Sequence, residues 1–292
     1  MTDPESRDRR ARPRTPAIVL VKGGGDIASG IAYCLCRSGF RVVMTETTHP
    51  TVVRRSVSFA EAVFEGSTSV EGVTSRLARG LEDAKAMLAG TDIPVLVDPS
   101  AEIGLQLMPS VVIDSIMAKT NLGTTMSDAP LVLGIGPGFQ AAVDVAAVIE
   151  TQRGHDLGRV ILNGSAKPNS GIPGNIGGYT TERLLRAPTC GVFLPTVRIG
   201  SAVTAGEILG FVNDIPVTAS ISGVLRGLLK EGLTVKVGQK LGDVDPRGIA
   251  EYCFTISDKA RAIAGGALTA VLWLGGHRSV DGTATMATVP QP

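Results

Sequence analysis

Gly23, Gly24 and Gly25, with Asp26 beside them and Glu46 about twenty residues downstream, have the types and spacing that a phosphate-bearing ligand needs. Glycine lets the chain turn sharply and lets backbone N–H groups approach an anion without a Cβ in the way. A helix opening at that point directs its positive end at the same anion. A carboxylate at Glu46 is placed to accept a ribose hydroxyl. The chemistry indicated is therefore the binding of a nucleotide-like anion, and it requires the glycine amides to face outward. Asp26 opposes it, because its charge repels a diphosphate held too close. The competing reading is a tight strand-to-helix turn with Asp26 as helix N-cap. Gly136 and Gly138 offer a second cluster of backbone donors in the loop 134–138, unless that loop is only a turn in which Pro137 starts a helix. Asp114, followed by Lys119 and Asn121, suits the orientation of a phosphate or a structural ion pair. The Gly-, Asn-, Ser- and Pro-rich stretch 163–178 supplies Lys167 and Asn169, and reads either as a loop closing over a ligand or as a linker.

Other chemistries lack their residues. His49, His155 and His277 make no His-x-x-x-His pair, and with Cys34, Cys36, Cys190 and Cys253 they make no zinc spacing. Asp98, Asp114 and Glu46 could gather round a metal, but acids at strand ends are common without one, so no metal site is assigned. A Gly-x-Ser-x-Gly elbow, a P-loop and a Tyr-x-x-x-Lys pair are absent. His155 reads as a surface-loop histidine or a general base. Cys34 and Cys36 read as small buried apolar residues, and the natural compartment is a reducing cytoplasm.

Elements to position these residues are legible in the pattern. Apolar runs at 18–21, 41–46, 94–97, 111–113 and 131–135 read as strands, with 70–73 as a further short one. Helical spacing is read over 54–65, 75–88, 140–150 and 180–185, and a helix over the first part of 262–276. Strands alternating with helices predict a Rossmann-like parallel sheet, whose ligands sit beyond the carboxyl ends of the strands. Hydrophobic content is 43% and aromatic content only 4%, so Val, Ile, Leu and Ala must fill the core. From Gly191 short β-prone runs replace the helices, and 199–209 with 222–242 resemble the two halves of a biotinyl/lipoyl-like barrel-sandwich. No lysine stands at 213–216, where a carrier domain would present its modified residue. The expected fold class is α/β, with a Rossmann-like parallel sheet, a C-terminal β-rich barrel-sandwich domain and a terminal helix. The expected boundaries are a disordered tail 1–16, an α/β domain 17–186, a β domain 187–250, a closing helix 251–276 and a tail 277–292. A net charge of +1 in 292 residues argues against nucleic-acid or membrane partners. No apolar run is long enough to span a bilayer and no signal peptide is read, so the expected location is the cytoplasm.

Several stretches together resemble one family. They are Lys22-Gly23-Gly24-Gly25-Asp26-Ile27-Ala28-Ser29-Gly30, the run 54–63 from Arg54 to Val63, Ala118-Lys119-Thr120-Asn121-Leu122-Gly123-Thr124, Gly136-Pro137-Gly138-Phe139, the run 150–159 from Glu150 to Arg159, and the run 173–180 from Pro173 to Thr180. Over roughly residues 17–275 the chain is similar to the accessory proteins of the selenium-dependent molybdenum hydroxylase system. That resemblance implies a maturation or cofactor-handling role, with a molybdenum hydroxylase or its maturation factors as partner. It supplies no catalytic residues. The ligand expected at the sheet edge is nucleotide-containing, either NAD(P) or molybdopterin dinucleotide. The alternatives are a non-enzymatic assembly scaffold and an NAD(P)-dependent oxidoreductase, and homo-oligomerisation is left open.

Overall fold

The computed structural model describes residues 17–275. The tails read at 1–16 and 277–292 lie outside the described residues. The chain runs β1 (Ile18–Lys22), α1 (Asp26–Arg37), β2 (Arg41–Glu46), α2 (Ala62–Glu65), β3 (Ser67–Val70), β4 (Val73–Ala78), α3 (Leu81–Leu88), β5 (Ile93–Val97), α4 (Ile103–Leu107), β6 (Val111–Asp114), β7 (Leu131–Ile135), β8 (Ala147–Ile149) and β9 (Val160–Ile161). These strands form one nine-stranded sheet in the order β3-β4-β5-β2-β1-β6-β7-β8-β9. Alternate residues of each strand face opposite ways. Val19 and Val21 join Val42, Met44 and Ile113 on one face, while Leu20 joins Val43, Val112 and Val132 on the other.

The first face is covered by α1 and by α5 (Asp258–Gly275), the helix expected near the C-terminus. Ala260, Ala264, Ala267 and Ala270 make its buried stripe. Small side chains bring the two helices close, with Gly30 of α1 directly against Ala260. The second face is covered by α3 and α4. Between β9 and α5 lie β10 (Leu184–Arg186), β11 (Gly191–Pro195), β12 (Ala202–Val203), β13 (Ile208–Val212), β14 (Ile215–Thr218), β15 (Gly223–Leu228), β16 (Thr234–Val235) and β17 (Lys240–Asp245).

The expected fold class needs correction. The sheet is mixed, not a Rossmann-like parallel one: β3 runs antiparallel to β4, and β9 antiparallel to β8. The Glu71–Gly72 turn, with φ of 47° and 76°, makes β3 and β4 a hairpin. The biotinyl/lipoyl-like barrel-sandwich is also withdrawn. The C-terminal strands form two four-stranded sheets, β10-β17-β15-β12 and β14-β13-β11-β16. The supposed first half-repeat is split between them, since β12 pairs with β15 whereas β13 pairs with β11 and β14. Glycine and turn spacing fixes local chain reversals, and it says little about which distant strands then pair.

Four helices also change, the one expected over 180–185 being the 3-10 turn Thr181–Arg183 followed by β10. Residues 75–88 divide at Gly80 into β4 and α3. The stretch 140–150 is a turn leading into β8. The stretch 54–65 is two single 3-10 turns followed by the four-residue α2. Among the described residues no helix is long and apolar enough to cross a membrane.

Candidate functional site

The first glycine turn is closed by the protein itself. Gly23, at φ +91°, donates its N–H to Thr45 O at 2.8 Å. Gly24 donates to Glu46 Oε1 at 2.9 Å, and Glu46 Oε2 accepts Thr47 N–H at 2.8 Å. The carboxylate expected to meet a ribose therefore holds the turn. Gly24 O accepts Ala60 N–H at 2.9 Å, and a Cβ at Gly24 would lie 2.9 Å from that nitrogen. A Cβ at Gly25 would meet Val52 at 3.5 Å, an ordinary contact. Gly24→Ala is therefore expected to cost about 2 kcal/mol or more, and Gly25→Ala to be near neutral, as urea unfolding will show.

The second loop is closed too. A Cβ at Gly136 would sit 2.7 Å from Thr151 Oγ1, and one at Gly138 2.8 Å from the Thr120 backbone. The Gly136 N–H donates to Ile149 O at 2.9 Å. Asp114, 2% exposed, accepts Thr124 Oγ1 at 2.6 Å and Ile116 N–H at 3.1 Å. Lys22 Nζ donates to the same Thr124 hydroxyl at 2.8 Å. Asn121 accepts the Gly123 and Thr124 N–H groups at 2.9 and 2.8 Å and donates to Thr124 O. Both residues thus spend their polar groups in holding the segment after β6.

Of the expected sheet-edge site residues, Asp26 and Lys119 are the two that line a cleft, while Gly138 is exposed outside it. The cleft, of about 560 Å³, lies beyond the carboxyl ends of the central strands, roofed by loop 163–178 and floored by β15 and β17. Nine basic side chains and two acidic ones, Asp26 and Asp243, line it. Lys167 and Asn169 are among the lining residues. The loop is held in place: Lys167 N–H donates to Glu150 Oε2 at 2.8 Å, and Lys167 Nζ meets Asp156 at 2.6 Å. With its oxygen turned to accept, the Asn169 amide takes Lys119 Nζ at 3.2 Å and Gly171 N–H at 3.3 Å.

The floor is built from arginines that sequence reasoning did not single out as site residues. Arg183 and Arg226 are 5% and 6% exposed. Arg183 Nε and Nη1 and Arg226 Nε have no hydrogen-bond partner. Each makes only a loose ion pair, Arg183 with Asp243 at 3.3 Å and Arg226 with Asp245 at 3.4 Å. Asp245 instead accepts Arg247 at 2.6 and 2.9 Å. Arg54 contributes from the other wall, 3.4 Å from Asp26 and donating to Tyr252 O and Thr255 O. Burial lowers the pKa of Arg226, and the neighbouring Arg54 charge lowers it further. Burial likewise lowers the pKa of Lys259, and neither Lys259 nor Lys240 has a side-chain hydrogen bond or ion pair among the described residues. One local signal pointed at this floor: Arg226 is a charge inside a strand that is otherwise Gly, Val and Leu.

Two carboxylates give the molecule an acid limit. Burial alone would raise the Asp245 pKa, but hydrogen bonds from Arg247 and its charge leave it lowered. Asp258 is held well below the carboxylate range by hydrogen bonds from Arg153, against the opposing effect of burial. A carboxyl lowered in the folded state stabilises above its unfolded pKa, and that contribution is lost as pH falls. Thermal stability should therefore hold from neutral pH to about 5 and decline below about 4.

Among the described residues no group of three or more His, Cys, Asp or Glu is placed to hold a metal ion. No family model matches the chain. The chain is 46% identical over 273 residues to the uncharacterized protein YqeB of Escherichia coli (strain K12), covering 94% of this chain and 50% of that protein. The similarity runs along nearly the whole of this chain, which spans about half the length of the curated relative it matches. Among solved structures it is similar to the ectoine utilization protein EutE (DoeB) from Ruegeria pomeroyi, with TM-score 0.26, 10% identity, and 78% of this chain and 85% of that one covered. A succinylglutamatedesuccinylase/aspartoacylase from Rhodobacter sphaeroides gives TM-score 0.23 and 14% identity over 78% and 85% of the two chains. Likeness at those scores carries no functional argument.

Proposed function

We propose that this YqeB-like chain is an accessory protein of a selenium-dependent molybdenum hydroxylase system that holds a nucleotide-containing cofactor, such as molybdopterin dinucleotide, by its phosphates in the cationic cleft. The observation that carries the reading is charge placement. A chain of net charge +1 gathers nine basic side chains against two acidic ones around a single cleft. Concentrated positive charge with low-dielectric walls attracts multiply charged anions. The cleft lies at the carboxyl edge of the sheet, where open α/β sheets bind ligands. The glycine turns position the walls, and the side chains do the binding. The client hydroxylase, or a maturation factor, receives the cofactor from this chain.

Calorimetry with molybdopterin dinucleotide, CTP and NAD, against cytidine as an uncharged control, tests the reading. Binding of at least one phosphorylated ligand is expected, weakening as salt rises, with none for cytidine. If cytidine binds as well as CTP, or no phosphorylated ligand binds, the reading fails.

A further inference from the structure

We infer that the floor of the cleft is a diphosphate subsite centred on Arg183 and Arg226, an inference that rests on the polyanion reading of the same cleft. Asp243 and Asp245 are two residues apart on β17, so they share one face of the strand. Arg183 comes from just before β10 and Arg226 from β15, the two strands that flank β17. The two guanidiniums therefore stand on either side of one strand.

Arg226 occupies a special backbone position. Leu225 pairs with Val244 and Gly227 with Asp243, which leaves Arg226 as the extra residue of a β-bulge. Bulges re-aim a side chain out of the regular alternation. Here the side chain lines the cleft while its guanidinium lies buried, with Nε unpartnered.

A buried donor without an acceptor is costly, and native proteins pair nearly all of them. The same chain makes a close Arg–Asp pair two residues away, at 2.6 Å between Arg247 and Asp245. The loose geometry of Arg183 and Arg226 is thus not forced by a lack of carboxylates. It leaves their donor forks free for an oxyanion, which guanidinium matches bidentately.

Charge decides between oxyanions. Asp243 offsets Arg183, Asp26 offsets Arg54, and Asp245 belongs to Arg247. Lys119, Lys240 and Lys259 remain without a carboxylate partner among the described residues, and Arg226 only shares Asp245 with the closer Arg247. A single carboxylate leaves most of that charge unmet, whereas a diphosphate brings two to three negative charges to one place.

Inorganic pyrophosphate is the probe, with malonate as a dicarboxylate of similar span. Calorimetry on the full chain is expected to show pyrophosphate binding at least tenfold tighter than malonate. Arg226→Met and Arg183→Met should each weaken pyrophosphate at least tenfold. In the absence of ligand Arg226→Met should melt close to the wild-type temperature, because Asp245 keeps its closer partner Arg247, whereas Arg183→Met should melt lower, because Asp243 is left buried without its arginine. A purely structural Arg226 would not give that combination. Wild-type affinity in Arg226→Met overturns the subsite, as do equal affinities for malonate and pyrophosphate, and as does an Arg226→Met variant that unfolds. If pyrophosphate fails while molybdopterin dinucleotide binds and is indifferent to Arg226→Met, the subsite falls and the cofactor reading stands. If neither binds, both fall.

Discussion

Gly266→Ala will destabilise the protein by at least about 3 kcal/mol, a loss of roughly 6–12 °C in melting temperature. A Cβ at Gly266 would overlap the carbonyl oxygen of Gly158, and one at Gly158 would overlap the carbonyl oxygen of Ala262. Backbone meets backbone there, so no side-chain rotation relieves the clash. The helix must move away from β8 and β9, which opens the face that buries Ile149, Ile263 and Ala267. Gly158 also has φ +83°, a conformation in which alanine is strained. The neighbouring Gly265 is the control. It faces open space within the same helix, so Gly265→Ala should stabilise by up to about 1 kcal/mol. Calorimetric melting of the two variants will show opposite signs one residue apart. Equal effects would mean that α5 does not pack on the Gly158 turn.

The largest functional loss is expected from Lys259→Glu. Lys259 lies in the first turn of α5 and lines the cleft without a carboxylate partner. The substitution changes the local charge by two units beside a polyanion. At a few ångströms and an intermediate dielectric that is worth several kcal/mol before screening, so binding of a diphosphate-bearing ligand should fall about 100-fold or more. Folding should not suffer, because a carboxylate in the first turn of a helix favours the macrodipole. Calorimetry beside a melting curve separates the two effects. A binding loss accompanied by an equal loss of stability would assign Lys259 to the fold rather than to the ligand.

Much of the frame was legible in the sequence, and most of the site was not. The runs at 18–21, 94–97, 111–113 and 131–135 are apolar on both faces, and only a sheet buried on both sides uses such strands. They became β1, β5, β6 and β7. Patterns that either periodicity could fit went astray. Leu77 and Leu81 have helical spacing, yet Gly80 separates a strand from a helix between them. The glycines at 23, 24, 136 and 138 were legible as turns. Whether such a glycine makes room for a ligand or for the protein depends on Ala60, Ser115, Thr120 and Thr151, which are distant in sequence. The cationic cleft has the same origin. Arg54, Lys119, Arg153, Arg183, Arg226 and Lys259 come from six segments, and no local spacing announces that they converge. Overall charge hides them, because the acids that balance the total lie mostly elsewhere.

The central claim is that this cleft holds a polyanionic, nucleotide-containing cofactor, and its most direct test is titration of the purified chain with molybdopterin dinucleotide at low and high salt. One saturable site is expected, with affinity that falls as salt rises and is lost in Lys259→Glu. Absence of binding, or binding that ignores both salt and the Lys259 substitution, would contradict the account.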